Sequence, residues 1–193
     1  MNTLWTTRLA SLALMAAGAA SAQAEAKLQP ALSELVFQIK QMGVPVEGRF
    51  RKFDAQIAFD PKQPEGGKVT LNIDTASATL GAPEVDIELP KPVWFAVAKF
   101  PQASFQSSAI KALGGGKFEV SGKLSIKGQV RDLTLPVTLT APAQPGGPTL
   151  ASGSFAVKRI DFLIGQNEWA DTSLLANEVQ VRFKLALAGL GVF

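Results

Sequence analysis

The chain has 193 residues, a formal net charge of +3, and no cysteine, histidine or tyrosine. Without cysteine and histidine it cannot contain a Ser-His-Asp triad, a cysteine nucleophile or a histidine-based metal site. Its basic residues are spread along the sequence instead of forming a cluster, which argues against nucleic acid as a partner. No catalytic or metal-ligating residue is therefore predicted.

The first 24 residues have the pattern of a secretory signal peptide. Arg8 is their only charged residue, residues 9–20 are apolar and small, and two Ala-x-Ala sites end at Ala22 and Ala24. The apolar run is well short of the roughly 20 residues of a membrane-spanning helix. We expect export, with cleavage after Ala22 or Ala24, and one mature domain over residues 25–193.

Most of the mature sequence alternates between apolar and polar residues. In residues 117–127, the odd-numbered positions are charged or polar, Lys127 among them, and face away from the apolar set Phe118, Val120, Gly122, Leu124 and Ile126. The same period of two recurs in residues 34–40, 52–60, 68–74, 132–140 and 178–187. This pattern predicts β-strands with one dry face and one wet face.

Little predicted helix is available to cover these dry faces, so the sheet must cover itself. Turn signals at residues 64–67, 114–116 and 145–148 predict hairpins and an antiparallel order. Gly114-Gly115-Gly116-Lys117 lacks the spacing and the following helix of a phosphate-binding loop, so a hairpin turn is expected there. The predicted fold is all-β, an antiparallel barrel of eight strands whose apolar interior can hold one small ligand.

Two irregular stretches interrupt the strands, and each predicts a short helical cap. The first predicts a helix from about Pro83 to Leu89, followed by Trp94 and Phe95. These aromatics either plug one mouth of the barrel or anchor a surface loop. The second stretch, residues 161–176, predicts a second lid or a short helical turn.

The acidic residues of the first stretch are expected on a solvated helix face. They are Glu84, Asp86 and Glu88, and they lack the spacing of a calcium-binding loop.

Arg159 is the one charged residue predicted on an inner face, because it shares the parity of Phe155 and Val157. A buried arginine must be paired, since an isolated buried charge is very costly. It either hydrogen-bonds the head group of a ligand near a barrel mouth, or pairs with Asp161, Glu178 or another carboxylate and closes the barrel end.

The aromatic composition favours a dry interior, because the chain has 12 phenylalanines and no tyrosine. Small inward residues such as Ala55, Ala103, Gly122 and Gly153 leave room there. The predicted ligand-contacting residues are inner-face and capping residues, namely Phe37, Phe50, Phe53, Ile57, Leu71, Ile73, Trp94, Phe95, Phe105, Phe118, Leu124, Leu135, Phe155, Arg159, Trp169 and Phe183.

Short motifs follow one another in order along the mature chain. They include Ser33-Glu34-Leu35-Val36-Phe37, Gly48-Arg49-Phe50, Ile73-Asp74-Thr75-Ala76-Ser77, Lys99-Phe100-Pro101, Gly122-Lys123-Leu124-Ser125-Ile126-Lys127-Gly128, Arg159-Ile160-Asp161-Phe162 and Trp169-Ala170-Asp171-Thr172. This ordered set, over about residues 32–188, resembles the YceI-like proteins, a polyisoprenoid-binding, lipocalin-like family. Where many members have Asp and Gly, this chain has Ala96 and Leu163.

The resemblance implies a lipocalin-like barrel, export to the periplasm, and an isoprenoid lipid or quinone held non-covalently in the lumen. It places Arg159 near the polar end of that ligand or at the closure of the barrel. The leading interpretation is therefore a periplasmic carrier of an isoprenoid lipid or quinone, without enzymatic activity and without a covalent cofactor.

Three other functions are kept as alternatives. An outer-membrane barrel would turn its apolar faces toward lipid. An enzyme of isoprenoid or quinone metabolism would need carboxylates or a lysine in the lumen. A surface-contact protein with a stress or redox-partner role would have a filled lumen. Transient contact with a membrane or a membrane redox protein, and a homodimer, are left open.

Overall fold

The computed structural model describes residues 25–190, and the predicted signal peptide lies outside them. These residues form 11 strands, β1 (Glu25–Leu28), β2 (Glu34–Gln41), β3 (Val44–Phe50), β4 (Phe53–Ala58), β5 (Lys68–Asp74), β6 (Ala78–Thr79), β7 (Gln102–Gly114), β8 (Lys117–Ile126), β9 (Gln129–Thr140), β10 (Thr149–Lys158) and β11 (Leu175–Ala188). Helical structure is limited to α1 (Pro83–Asp86) and to 3-10 turns at Pro30–Leu32, Pro64–Gly66, Thr75–Ser77, Arg159–Phe162 and Asn167–Ala170. Within residues 25–190, no helix is both long enough and apolar enough to cross a membrane.

Eight of the strands close into an antiparallel barrel. Their order is β1-β4-β5-β7-β8-β9-β10-β11, and β1 also pairs with β11 to complete the circle. Closure removes the two free edges that an open sheet would expose. The prediction of an eight-stranded antiparallel barrel is confirmed.

The other three strands extend one side of the wall. Strand β2 pairs with the part of β11 that does not pair with β1, β3 pairs with β2, and the two-residue strand β6 pairs with β3. The end of the barrel that these three strands extend is called the upper end. It also carries residues 80–100, the Lys127-Gly128 turn and residues 159–174, whereas residues 59–67, 115–116 and 141–148 connect strands at the lower end.

The predicted alternation decides which side chains form the core. Strands β7, β8 and β9 place their apolar residues opposite one another, as in the pairs Phe105 with Leu124 and Val120 with Leu135, and all four side chains are buried. The hairpin predicted at residues 114–116 joins β7 to β8, and all three glycines there have positive φ angles. These are conformations that glycine adopts at low cost.

The first irregular stretch is less helical than predicted, because α1 ends at Asp86 and turns continue to Phe100. Asp86 was expected on a solvated helix face, but the structure shows more than that. Its carboxylate accepts hydrogen bonds from the Thr79 hydroxyl at 2.5 Å and from the Leu80 main-chain N–H at 2.6 Å. These two donors, the hydroxyl first, hold the pKa of Asp86 below its ordinary value. The helix is thereby tied to the end of β6.

The lowered pKa of Asp86 predicts an acid-dependent loss of stability. The charged carboxylate stabilises the fold fully above its unfolded-state pKa of about 4, and the contribution is lost as the pH falls through the lower folded-state pKa. We expect Asp86→Asn to remove this part of the pH dependence in urea unfolding measured between pH 2 and 6. Asp132→Asn, which alters an exposed ion pair with Lys123, is the matched control and should keep it. An unchanged acid slope in Asp86→Asn would contradict the assignment.

Candidate functional site

The barrel encloses a cavity of about 120 Å³, and every side chain that lines it is apolar. Its walls come from strands β2, β4, β5 and β7 to β11. A water molecule needs two to four polar partners to be held in a protein interior, and apolar cavities of this size stay dry. The lumen is therefore suited to hydrocarbon and offers nothing to a polar group.

Eight of the residues predicted from the sequence line this cavity, namely Ile57, Leu71, Phe105, Phe118, Leu124, Leu135, Phe155 and Phe183. Most of the others that line it lie on the same predicted inner faces, among them Leu35, Ala55, Val69, Val120, Leu133, Val137, Leu139 and Leu185. Ile110 was missed because the register of β7 shifts between Ser107 and Ala109, which reverses the parity of the following residues.

The remaining aromatic and aliphatic predictions fill the upper end above the cavity. Phe53 and Ile73 pack with Leu35 and Ala103 in one cluster. Above it, Phe50 is partly buried against a second cluster.

That second cluster is formed by Ala78, Leu89 and Phe95. The rings of Phe37, Phe50 and Phe95 follow one another with centroid distances of 5.4 Å and 5.7 Å. Phe95 is 9% exposed and belongs to a plug, so the plug predicted from Trp94 and Phe95 holds for one of these two aromatics.

Trp94 and Trp169 lie outside this plug. Their rings pack against each other with a centroid distance of 5.4 Å, and both side chains are only half-buried. This contact joins the first irregular stretch to the second. The two stretches therefore form one cap over the upper end, in line with the expectation that one or two short segments cap the barrel.

Arg159 is 2% exposed, but neither a carboxylate nor the cavity surrounds it. Its guanidinium donates to four main-chain carbonyls. The acceptors are Ala176 at 2.9 Å, Ile164 at 2.9 Å, Gly165 at 3.0 Å and Leu175 at 2.6 Å. The predicted pairing with Asp161 or Glu178 is wrong, although the arginine does close this end of the barrel. Carbonyl dipoles take the place of a carboxylate here, because four of them converge on the donors of one planar guanidinium group.

Gly165 shows how tightly this arrangement is packed. A Cβ atom on Gly165 would lie 2.6 Å from Nη1 of Arg159 and 3.3 Å from the Trp94 ring, and the φ angle is +71°. Only glycine meets both requirements at this position. The N–H of Gly165 in turn donates to the carbonyl of Val93 at 2.9 Å, so the cap is also joined through the main chain.

Lys127 was predicted on the solvated face of β8, and this was wrong, because it is 7% exposed. The strand ends at Ile126, and Lys127 and Gly128 form a two-residue hairpin turn with φ angles of +49° and +75°. Such a turn breaks the parity of the strand. The ammonium group donates to the carbonyls of Pro92 at 2.6 Å and Leu163 at 2.5 Å. Burial lowers the pKa of Lys127.

Both buried cations bond to residues 163–165 of the cap, which supply one acceptor to Lys127 and two to Arg159. Neither cation has a carboxylate partner among the ion pairs of the described residues. Lys127 joins the two irregular stretches through Pro92 and Leu163, Arg159 joins the second stretch to the start of β11, and neither lines the cavity.

Ala96 and Leu163 lie within this cap and have positive φ angles of 50° and 55°. A side chain with a Cβ atom disfavours this left-handed conformation, so both residues strain the backbone of the cap.

A closed antiparallel barrel with a dry lumen and a capped end is the architecture of lipocalin-like barrels. The family model of the YceI-like domain matches residues 27–187. The chain belongs to the YceI-like family.

Solved structures of similar fold match most of the described chain. BcnA of Burkholderia cenocepacia is 42% identical, with a TM-score of 0.77 over 82% of this chain and 98% of that protein. A polyisoprenoid binding domain from Saccharophagus degradans has a TM-score of 0.68 over 85% of this chain and 98% of that domain. At 16% identity, the second likeness is one of fold.

Curated relatives match a shorter part. A UPF0312 protein of Azotobacter vinelandii is 36% identical over 106 residues, which are 54% of this chain and 53% of that protein. A UPF0312 protein of Yersinia pestis is 38% identical over 105 residues, or 54% of each chain. The matched part spans about half the length of these relatives.

We call the four main-chain carbonyls around the Arg159 guanidinium the carbonyl cage. Truncation of the Arg159 side chain is expected to lower the unfolding free energy of the protein by a large amount. Arg159→Met removes the donor from four main-chain carbonyls, two of them in fully buried hydrogen bonds, which should cost on the order of 3 kcal/mol of unfolding free energy. Arg182→Met is the matched control, because Arg182 forms an exposed ion pair with Glu47 and should change stability by less than about 1 kcal/mol. Urea denaturation measures both values. Equal small effects would show that the cage does not hold the cap.

Proposed function

We propose that the protein binds an isoprenoid lipid non-covalently in its lumen, either a polyisoprenoid or the tail of an isoprenoid quinone. The observation that carries this proposal is the cavity of about 120 Å³ with only apolar side chains around it. The family and the polyisoprenoid binding domain of similar fold support the class of ligand. The predicted signal peptide supports a carrier that works after export, in the periplasm.

Desolvation supplies the binding free energy in this mechanism. Each buried CH₂ group contributes on the order of 0.8 kcal/mol, so one five-carbon unit contributes about 4 kcal/mol without any polar contact. The cavity is comparable to an engineered cavity of about 150 Å³ that binds benzene, so it accommodates about one such unit as it stands. A longer tail has to displace side chains. Phe155 and Phe183 are suited to this, because both line the cavity and are only half-buried.

The site supports binding and not catalysis. No ionisable side chain lines the cavity in the part of the chain that the structure describes. Residues 25–190 also contain no group of three or more acidic, histidine or cysteine side chains placed to hold a metal ion. General acid–base chemistry requires an ionisable side chain within hydrogen-bond reach of the reacting atoms. We therefore propose a binding protein without enzymatic activity.

A surface-contact function is the second candidate, and the small volume of the cavity favours it. In that case the lumen is an ordinary core and the partner, such as a membrane redox protein or a second copy of the chain, binds outside. The two candidates differ in one measurable property, since only the first requires the lumen to accept hydrocarbon.

A larger side chain that fills the cavity is expected to weaken the binding of an isoprenoid ligand. Ala151 on β10 lines the cavity and is buried, whereas Ala109 on β7 is exposed and does not line it. We expect the wild-type protein to bind farnesol in isothermal titration calorimetry. Ala151→Leu should bind at least about ten-fold more weakly, because losing the burial of two CH₂ groups already costs about 1.6 kcal/mol.

Ala109→Leu is the matched control and should bind farnesol as the wild type does. Equal affinity in Ala151→Leu would place the ligand outside the lumen. No binding by the wild type would favour the surface-contact function. Urea unfolding of both variants checks that the fold is retained.

A further inference from the structure

The wall of the barrel has a seam between the two long strands β9 and β10, which are barely paired. Strand β10 pairs with β11 along its whole length, and β8 pairs with β9 along the whole of β8. In contrast, β9 and β10 pair at only three positions, from Leu150 with Thr140 to Ser152 with Thr138. We call residues 129–137 of β9 and 153–158 of β10 the β9–β10 seam.

Two residues account for the point at which pairing stops. Pro136 has no N–H to donate to a neighbouring strand. Gly153 lies so close to Pro136 that a Cβ atom there would be 2.2 Å from the Pro136 carbonyl oxygen. The ladder therefore ends where the two backbones meet, and β10 continues with β11 only.

The cavity reaches this seam directly. Leu133 and Val137 on one side of it and Phe155 on the other all line the cavity, and all three are half-buried. On the neighbouring strand β8, the inward residues Phe118 and Leu124 are buried. The seam is thus a part of the wall at which lumen-lining side chains are incompletely covered, as they also are at Val69 and Leu71 of β5.

Both ends of the barrel are obstructed by packed side chains. The plug containing Phe50 and Phe95 fills the upper end, and the carbonyl cages hold the cap above it. At the lower end, Phe59 and Phe118 pack edge to face at 5.3 Å, and Pro64 is buried beside them in the connecting segment. A ligand passing through either end has to displace a packed cluster.

The seam itself is bounded at both of its ends. Below, the three paired positions of β9 and β10 close it. Above, Arg131 of β9 donates to the carbonyl of Asp161 at 2.8 Å and lies 5.9 Å from the centroid of the Phe162 ring. Separation of the strands between these two points breaks no ladder hydrogen bond described between β9 and β10.

We propose that the apolar tail of the ligand enters and leaves the lumen sideways, through the β9–β10 seam. The ligand class is a single apolar chain with a polar end. The chain lies in the dry lumen, and the polar end stays at the solvent side of the seam, because the lumen offers it no hydrogen-bond partner. This inference rests on the proposed function, since it requires that the lumen takes up a lipid.

Cross-linking tests the route, because the chain has no cysteine of its own. Thr134 and Ala156 are exposed, and they face each other across the seam when the register of Ser152 with Thr138 is continued. The variant Thr134→Cys/Ala156→Cys is joined with dibromobimane. The matched control is Ser121→Cys/Thr134→Cys, which joins the same residue to its paired neighbour on β8, where the two hydroxyls are 2.9 Å apart.

The readouts are the uptake rate of tritiated farnesol and its release into phosphatidylcholine vesicles, before and after cross-linking. We expect cross-linking across the seam to slow both rates at least ten-fold, and cross-linking of the control to leave them unchanged. Equal rates before and after cross-linking across the seam would overturn the route, as would equal slowing in the control. Failure of the uncross-linked protein to bind farnesol would instead overturn the proposed function, and the route with it.

Discussion

Closure of the barrel is the constraint on which the rest of the structure depends. It is completed by the short strand β1, which pairs with β4 on one side and with β11 on the other. Because closure hides the inner face of every barrel strand at once, an all-apolar interior becomes compatible with a polar exterior. Closure also limits how the interior is reached, through an end or through a weak place in the wall.

The upper end shows how such a barrel can be covered without a large helix. Two irregular stretches form the cap, and main-chain carbonyls around Lys127 and Arg159 join them. A buried cation is costly unless donors and acceptors match. Here the match ties together turns that also bury apolar side chains, among them Leu89 and Phe162. The same turns position Phe95 over the lumen, so polar and apolar parts of the cap depend on each other.

Period-two alternation predicted strands β2, β4, β5, β8, β9 and β11 and most of the inner face, because side-chain direction in a strand follows directly from parity. It did not mark β1, β3, β6 or β7. It failed where parity is interrupted. Lys127 lies in a turn with positive φ, and Ile110 follows a shift of register. The partners of Arg159 could not be predicted either, because main-chain carbonyls leave no signal in the sequence. The β9–β10 seam was missed for a related reason, since Pro136 marks a weak position without showing which neighbour it loses.

The central claim is that the lumen holds an isoprenoid chain. The most direct test is to purify the mature protein from its native compartment without detergent, then to combine native mass spectrometry with lipid extraction. The account predicts a stoichiometric adduct that yields an isoprenoid lipid or quinone on extraction. A monodisperse protein that carries no adduct, and that also fails to take up added isoprenoid, would contradict it.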